Sequence, residues 1–365
     1  MAYTCVGSLP RARWSWTGWR RFAAATAAVA LSLPGSGCGR QTPADGPLFP
    51  APDGARWGYI DGRGKTAIKP RFEDALPFSE GMAAVKADGH WGYIDRSGTQ
   101  VIPSRYRAAQ EFRNGVAVVD AGVRDHPLGI IDTTGGWVVE PAFRSLKPGN
   151  GPDGLLLGQK EAGQGFAYYD RDGNLVHGPY ELAFPFAEGR ARVRLRGRDM
   201  LVDAAGSPAP GKALVLDGIA VADGMIAVRS DRKLGYMNLA GKVTVEPRYD
   251  QGGAFAEGLA PVQSEGHWMF IDKEGAVTAE LPGGVVFAYP LSDGLSLVTA
   301  DRDTPGRKFG YVDRNGKWVV KPMWDEAEPF RNGLARVGIW KGGKMAYIDR
   351  AGKIVFEHSG VDLNR

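Results

Sequence analysis

One short pattern recurs along most of this chain, and a self-similar period between 20 and 50 residues restricts the fold to a stack or ring of like units. It reads WGYIDGRG at Trp57, WGYIDRSG at Trp91, LGIIDTTG at Leu128, FAYYDRDG at Phe166 and MLVDAAG at Met200. It returns as LGYMNLAG at Leu234, WMFIDKEG at Trp268, FGYVDRNG at Phe309 and MAYIDRAG at Met345. The marker residues are Asp61, Asp95, Asp132, Asp170, Asp203, Asn238, Asp272, Asp313 and Asp349, at successive spacings of 34, 37, 38, 33, 35, 34, 41 and 36.

Each repeat opens on aromatic and β-branched residues such as Tyr93 and Ile94, which suit a half-buried strand. The Asp then starts a turn: in Asp95-Arg96-Ser97-Gly98 its carboxylate can accept the backbone N–H two residues on, and the glycine supplies a positive φ. A second strand ends at Pro70, Pro103, Pro141, Pro247 or Pro322, and an aromatic follows at Phe72, Tyr106, Phe143, Tyr180, Tyr249 or Trp324. A Phe-x-[Glu/Asp/Asn]-Gly turn, as at Phe78 to Gly81 or Phe330 to Gly333, then launches a third strand. No helical period interrupts this order, so the sequence predicts an all-β fold.

Short turns such as Asp88-Gly89 make the third strand of one repeat and the first of the next a hairpin. The predicted folding unit is therefore a three-stranded antiparallel meander beginning at the third strand, with the Pro-aromatic segment crossing to the neighbouring sheet. One such sheet cannot bury its own face, so neighbours must stack, with the aromatics sealing each seam. The array ends on a second strand, Ile354 to Phe356, and starts on a first strand at Trp57, with Leu48-Phe49 a poor additional edge. Neither end offers a third strand to the other, and the expectation drawn from this is an open, twisted, solenoid-like array, a closed β-propeller being the alternative.

The Trp-Gly-Tyr-Ile-Asp start, the Asp-x-x-Gly turn, the Ile-x-Pro strand end and the Phe-x-Glu-Gly turn together resemble the WG-repeat (KWG) family from Trp57 to about Phe356. Trp-Gly is intact only at Trp57-Gly58 and Trp91-Gly92, and the fifth repeat is the most degraded. The resemblance implies a bacterial repeat protein, often exported, serving as a binding scaffold, and it carries over no catalytic residue.

The formal charge of +4 comes entirely from Arg11, Arg13, Arg20 and Arg21; beyond residue 38 the basic side chains equal the 41 acidic ones. A balanced chain lacks the clustered cations that phosphate backbones require, which argues against nucleic acid. The arginines precede an apolar run, Phe22 to Leu33, and then Pro34-Gly35-Ser36-Gly37-Cys38. That is the layout of a secretory signal over 1–37, with Cys38 the expected lipidated residue of an outer-membrane lipoprotein and plain secretion the alternative. A Pro/Gly-rich linker (38–56), the repeat domain (57–356) and a tail (357–365) complete the expected organisation. Cys5 lies in the segment expected to be removed, so no disulfide is available.

The repeated aspartates are read as turn-formers, including Asp170-Arg171-Asp172-Gly173-Asn174, which lacks the distal bidentate Glu of a calcium loop. Among His90, His126, His177, His267 and His358 there is no zinc spacing, and there is no nucleophile elbow. The expected function is therefore a non-enzymatic, envelope-anchored binding protein for a protein or polysaccharide partner, without cofactor or metal. The alternative is an envelope carbohydrate-active hydrolase with carboxylates gathered by the irregular segments Lys147 to Gln164, Ser207 to Asp223 and Leu281 to Asp303. Trp137, Trp318, Trp324 and Trp340 are assigned to core or seam rather than to sugar stacking.

Overall fold

A computed structural model describes residues 46–125, 127–149, 154–209, 215–216, 221–300, 308–339 and 344–359. Among them every regular element is a strand, and the strands form nine antiparallel sheets. The second sheet shows the plan: β4 (Asp74–Ala75), β5 (Met82–Ala87), β6 (His90–Asp95) and β7 (Gln100–Tyr106), side by side in that order. The last three are the meander expected from sequence. The expected three-stranded unit is corrected by β4, a two-residue strand that the Pro-aromatic crossing segment adds to the edge; among the described residues only the first and fifth sheets have three strands. Because strand direction alternates, the Phe-x-Glu-Gly and Asp-x-x-Gly turns share one face of the ring, and turns of the Asp88-Gly89 kind lie on the other.

The array is a closed nine-bladed β-propeller, which overturns the expected open array. Phe49, Ala51 and Ile60 of the first blade share one buried cluster with Leu334, Met345 and Tyr347 of the ninth. Tyr347 Oη donates to the carbonyl of Pro50 at 2.8 Å, and the Gly54 N–H donates to His358 Nε2 at 3.3 Å. The strand mismatch at the two ends is real, since no strand is shared between these blades. The first blade instead completes itself with β1 (Leu48–Asp53), paired to β2 (Arg56–Asp61) in the place of a third strand. As an edge strand, β1 tolerates Pro50 and Pro52, which a central strand would not. Packing between side chains closes the ring.

The other seams are built as the aromatics predict. Tyr59, Ile68 and Phe72 of the first blade pack against Ala75, Ala83, Val85 and Ile94 of the second, and burying one such large side chain contributes about 1.5–3 kcal/mol. The strand tyrosine also reaches across. Tyr59, Tyr93, Tyr168, Tyr236 and Tyr311 donate to the carbonyls of Leu76, Gln110, Phe184, Gly253 and Glu328 in the following blade, at 2.6–2.8 Å. At the closing seam the short strand is absent from the described residues, and Tyr347 takes the carbonyl of Pro50 one strand further out. The corresponding carbonyl in the second blade, Ala84 O, is occupied by Leu76 N–H. Arg71, Arg105 and Arg248 stack on the aromatic next to them, 4.9–5.1 Å from the ring centroid, and donate to Gly98, Gly135 and Gly275 in the next blade's Asp turn.

The glycine of the Trp-Gly pair is set by its neighbour strand. A Cβ on Gly58, Gly92, Gly235 or Gly310 would lie 2.4–2.6 Å from a carbonyl oxygen of the strand that carries Pro70, Pro103, Pro247 or Pro322; the proline does not stop that strand as expected, since it runs on to the following aromatic, as β7 does to Tyr106. Each of these strand pairs carries two register shifts. The ninth blade lacks the proline, has one shift, and holds Ala346 there instead. In the fourth blade the slot is Ala167, and the glycine has moved to its partner, Gly178, where a Cβ would lie 2.8 Å from Ala167 Cβ. In the degraded fifth blade, register puts Met200 in the glycine's position and Asp199 in the tryptophan's, where Asp199 pairs with Arg192 at 3.3 Å and Arg194 at 3.0 Å.

Candidate functional site

The turns nearest the axis supply the site. In the Phe-x-Glu-Gly turns the residue before glycine has a positive φ, 52° at Glu80, 51° at Glu188 and 52° at Glu257, as does the glycine, giving a tight two-residue hairpin. Asn, Asp and Gly favour that backbone region, so glutamate has to be explained by its side chain. The carboxylate of Glu80 accepts the N–H groups of Asn114 and Gly115 in the next blade, and Glu188 accepts those of Asp223 and Gly224. Asp223, Glu257 and Asp293 hold Gly258, Gly294 and Gly333 in the same way. Each acid clasps the following blade, and Lys273, 2.9 Å away, helps hold the Asp223 carboxyl below the usual carboxylate range.

Among the described turns, two depart from this rule. The residue before the acid is small at Ser79, Ala187, Ala222, Ala256 and Ser292, yet it is arginine at Arg113 and Arg331, and each of these is followed by an asparagine in place of the acid. Two residues before Arg113 stands Glu111, where the equivalent positions hold Pro77, Pro148, Pro185, Pro290 and Pro329, or alanine at Ala220 and Ala254. Glu111 Oε2 lies 3.8 Å from Arg113 Nη2 and 3.7 Å from Arg331 Nη2, although the arginines belong to the third and ninth blades. A contact between non-adjacent blades places these side chains at the central axis. Beside them opens a cavity of about 410 Å³, bounded by Leu76, Ala109, Gln110, Lys147, Pro148 and Pro185 from four successive blades.

The residues singled out in the sequence have other places. All nine marker residues cap their own turns, each side-chain Oδ1 accepting the N–H groups two and four residues on, as in Asp95 with Ser97 and Thr99 at 2.9 Å. The calcium-like stretch is one of them, with Asp170 held below the usual range first by the Asn174 side chain. Among the described residues, no group of three or more His, Cys, Asp or Glu is placed to hold a metal. His90 and His267 start equivalent strands and are exposed. His177 occupies a seam position, its Nδ1 2.9 Å from the Tyr180 hydroxyl, and burial pushes its pKa down.

Among the described residues, carboxylates of the irregular segments are engaged separately: Glu161 with Gln164, Asp223 with Lys273 and Asp293 with Gly333 N–H. Trp324 is buried, Trp318 packs against a core cluster, and Trp137 is 36 % exposed. Cys38, His126 and Trp340 lie outside the described residues. Among the described residues no helix is long and apolar enough to cross a membrane. The sequence reading passed over Glu111, Arg113 and Arg331. Their signal was available as departures from the repeat consensus: an acid in a proline position and arginines in a small-residue position.

The sequence model of the WG-containing repeat matches residues 57–89, 91–120, 166–198, 235–268 and 309–342. Among solved structures, the chain is similar to a eukaryotic initiation factor at 11% identity, covering 87% of this chain and 96% of that one with a TM-score of 0.61. It is also similar to apo AztD from Citrobacter koseri at 14% identity, covering 86% and 94%, with a TM-score of 0.42. At such identities only a fold is shared, and only the first superposes well enough to indicate one. A comparison with curated proteins gave no match.

Proposed function

This chain belongs to the WG-repeat proteins, and from that premise we propose that it is a non-enzymatic binding protein whose partner docks at the mouth of the propeller channel. The observation that carries the reading is the convergence of Glu111, Arg113, Lys147 and Arg331 beside a cavity bounded by four blades. Concave sites with apolar walls and a few convergent polar groups are where ligands bind. The acids repeated around the ring support a binding role over a hydrolytic one, because their oxygens are engaged in capping turns and clasping blades. Export and tethering at a bacterial envelope through Cys38 belong to the same proposal, and rest on the charged, apolar and small-residue order of residues 1–38.

The test is site-specific photocrosslinking in envelope extracts of the source cells. A photoreactive residue at Gln110 should trap a discrete adduct, while one at Asp88, on the opposite face, should not. Equal trapping at both positions, or none at Gln110, would remove the channel mouth as the docking place.

A further inference from the structure

Among the described residues that bound the cavity Glu111 is the only acid, and it faces two guanidinium groups at 3.7–3.8 Å. Those distances attract but exceed a hydrogen bond. A guanidinium presents five donors in a planar fork that matches a carboxylate bidentately, so the single long contact from Glu111 engages Arg331 loosely. Its side chain is 17% exposed whereas that of Arg331 is 61% exposed, so the cation can be reached from outside while the acid sits deeper. Lys147 adds a third positive charge at the same cavity. The neighbouring acid on the ninth blade, Glu328, is already paired with Arg336.

We propose that the channel mouth takes an acidic peptide segment, whose carboxylates are held by Arg113, Arg331 and Lys147 in competition with Glu111. This rests on the docking reading above and gives it a ligand class. A carboxylate is the group these arginines already face, which makes Glu111 an internal rival of the ligand. Peptide rather than a bare anion follows from the size and lining of the space. About 410 Å³ is far more than one oxyanion fills, and Leu76, Ala109, Pro148 and Pro185 offer apolar wall for the chain beside Gln110, which can hydrogen-bond a peptide amide.

The experiment is fluorescence polarisation of the full chain with a labelled tri-glutamate peptide, its tri-glutamine counterpart and inorganic phosphate as competitor. The glutamate peptide should bind and the glutamine peptide should bind at least about tenfold more weakly. Arg331→Ala should weaken binding about tenfold, and Glu111→Gln should tighten it several-fold because the rival charge is gone. Both variants leave the clasped turns intact, and an unchanged denaturation midpoint confirms their fold. Unaltered affinity in Glu111→Gln, equal binding of the two peptides, or phosphate displacing the probe at the peptide's own concentration would overturn the proposal. Crosslinking at Gln110 without binding of the acidic peptide would sink this inference and leave the docking reading standing; failure of both would sink both.

Discussion

Tyr347 donates its hydroxyl to the carbonyl of Pro50, 297 residues earlier in the chain, at 2.8 Å. Five other strand tyrosines make the same kind of bond to the next blade, so this contact is the closing member of a series. Tyr347→Phe should lower stability by about 1 kcal/mol, the net worth of one hydrogen bond, and Tyr236→Phe should cost a similar amount. Burial raises the pKa of Tyr59, Tyr93, Tyr168, Tyr311 and Tyr347 well above the ordinary value. A raised folded pKa gives stability that is complete below the unfolded value and lost as pH rises beyond it. Above pH about 10, unfolding free energy should therefore fall by up to about 1.4 kcal/mol per pH unit for each such tyrosine, and tyrosinate absorbance should appear together with loss of the fold.

The pairing of glycine with a proline-containing strand predicts unequal costs for equal substitutions. Gly235→Ala would drive a Cβ to 2.4 Å from Val245 O and should destabilise by about 1–3 kcal/mol. Ala346→Gly, in the blade without the proline, should cost about 0.5–1 kcal/mol through backbone entropy alone. Urea midpoints of the two variants check the difference, and comparable losses would remove the packing explanation.

His177 stands where other seams hold Ile68, Ile102, Val139, Val245 and Val320. Burial lowers its pKa, against an opposing pull from Asp203. A depressed folded pKa leaves stability complete above the unfolded value and removes it as pH falls through the folded one. The guanidinium midpoint should thus decline from neutral pH towards pH about 5, and His177→Val should flatten that decline.

The carboxylate clasps should behave as charge-assisted bonds between blades. Glu257→Gln keeps the turn but weakens acceptance from Gly294 N–H, now at 3.1 Å to both oxygens; the expected cost is about 1 kcal/mol after allowance for exposure. Hydrogen exchange at Gly294 should quicken while that at Gly98, in a distant Asp turn, should not change.

Cys38→Ala should move the protein from the membrane to the soluble fraction of envelope extracts. Retention in the membrane fraction would remove the lipid anchor from the proposal.

Features governed by a few neighbouring residues were legible in the sequence. The Asp95 turn needs only its own next four residues, and the offset meander follows from the short loop at Asp88-Gly89. Closure was not legible, because counting strands at the ends assumes that closure needs a shared strand, whereas Phe49, Ala51 and Tyr347 close the ring by packing. Pro50 and Pro52 made β1 look like linker, since proline forbids a central strand but not an edge. Glu80 was read as part of a turn; its reach into the next blade depends on a residue 34 positions away, Asn114. Glu111, Arg113 and Arg331 meet only once the ring is closed.

Closure without a shared strand also fixes how the molecule responds to force. A pull on either end acts first on the one seam that no crossing segment of the chain joins, held by packing, by Tyr347 on Pro50 and by His358 on Gly54, and no strand has to be stripped from a sheet. The ring should open there like a latch at low tension while its blades stay folded.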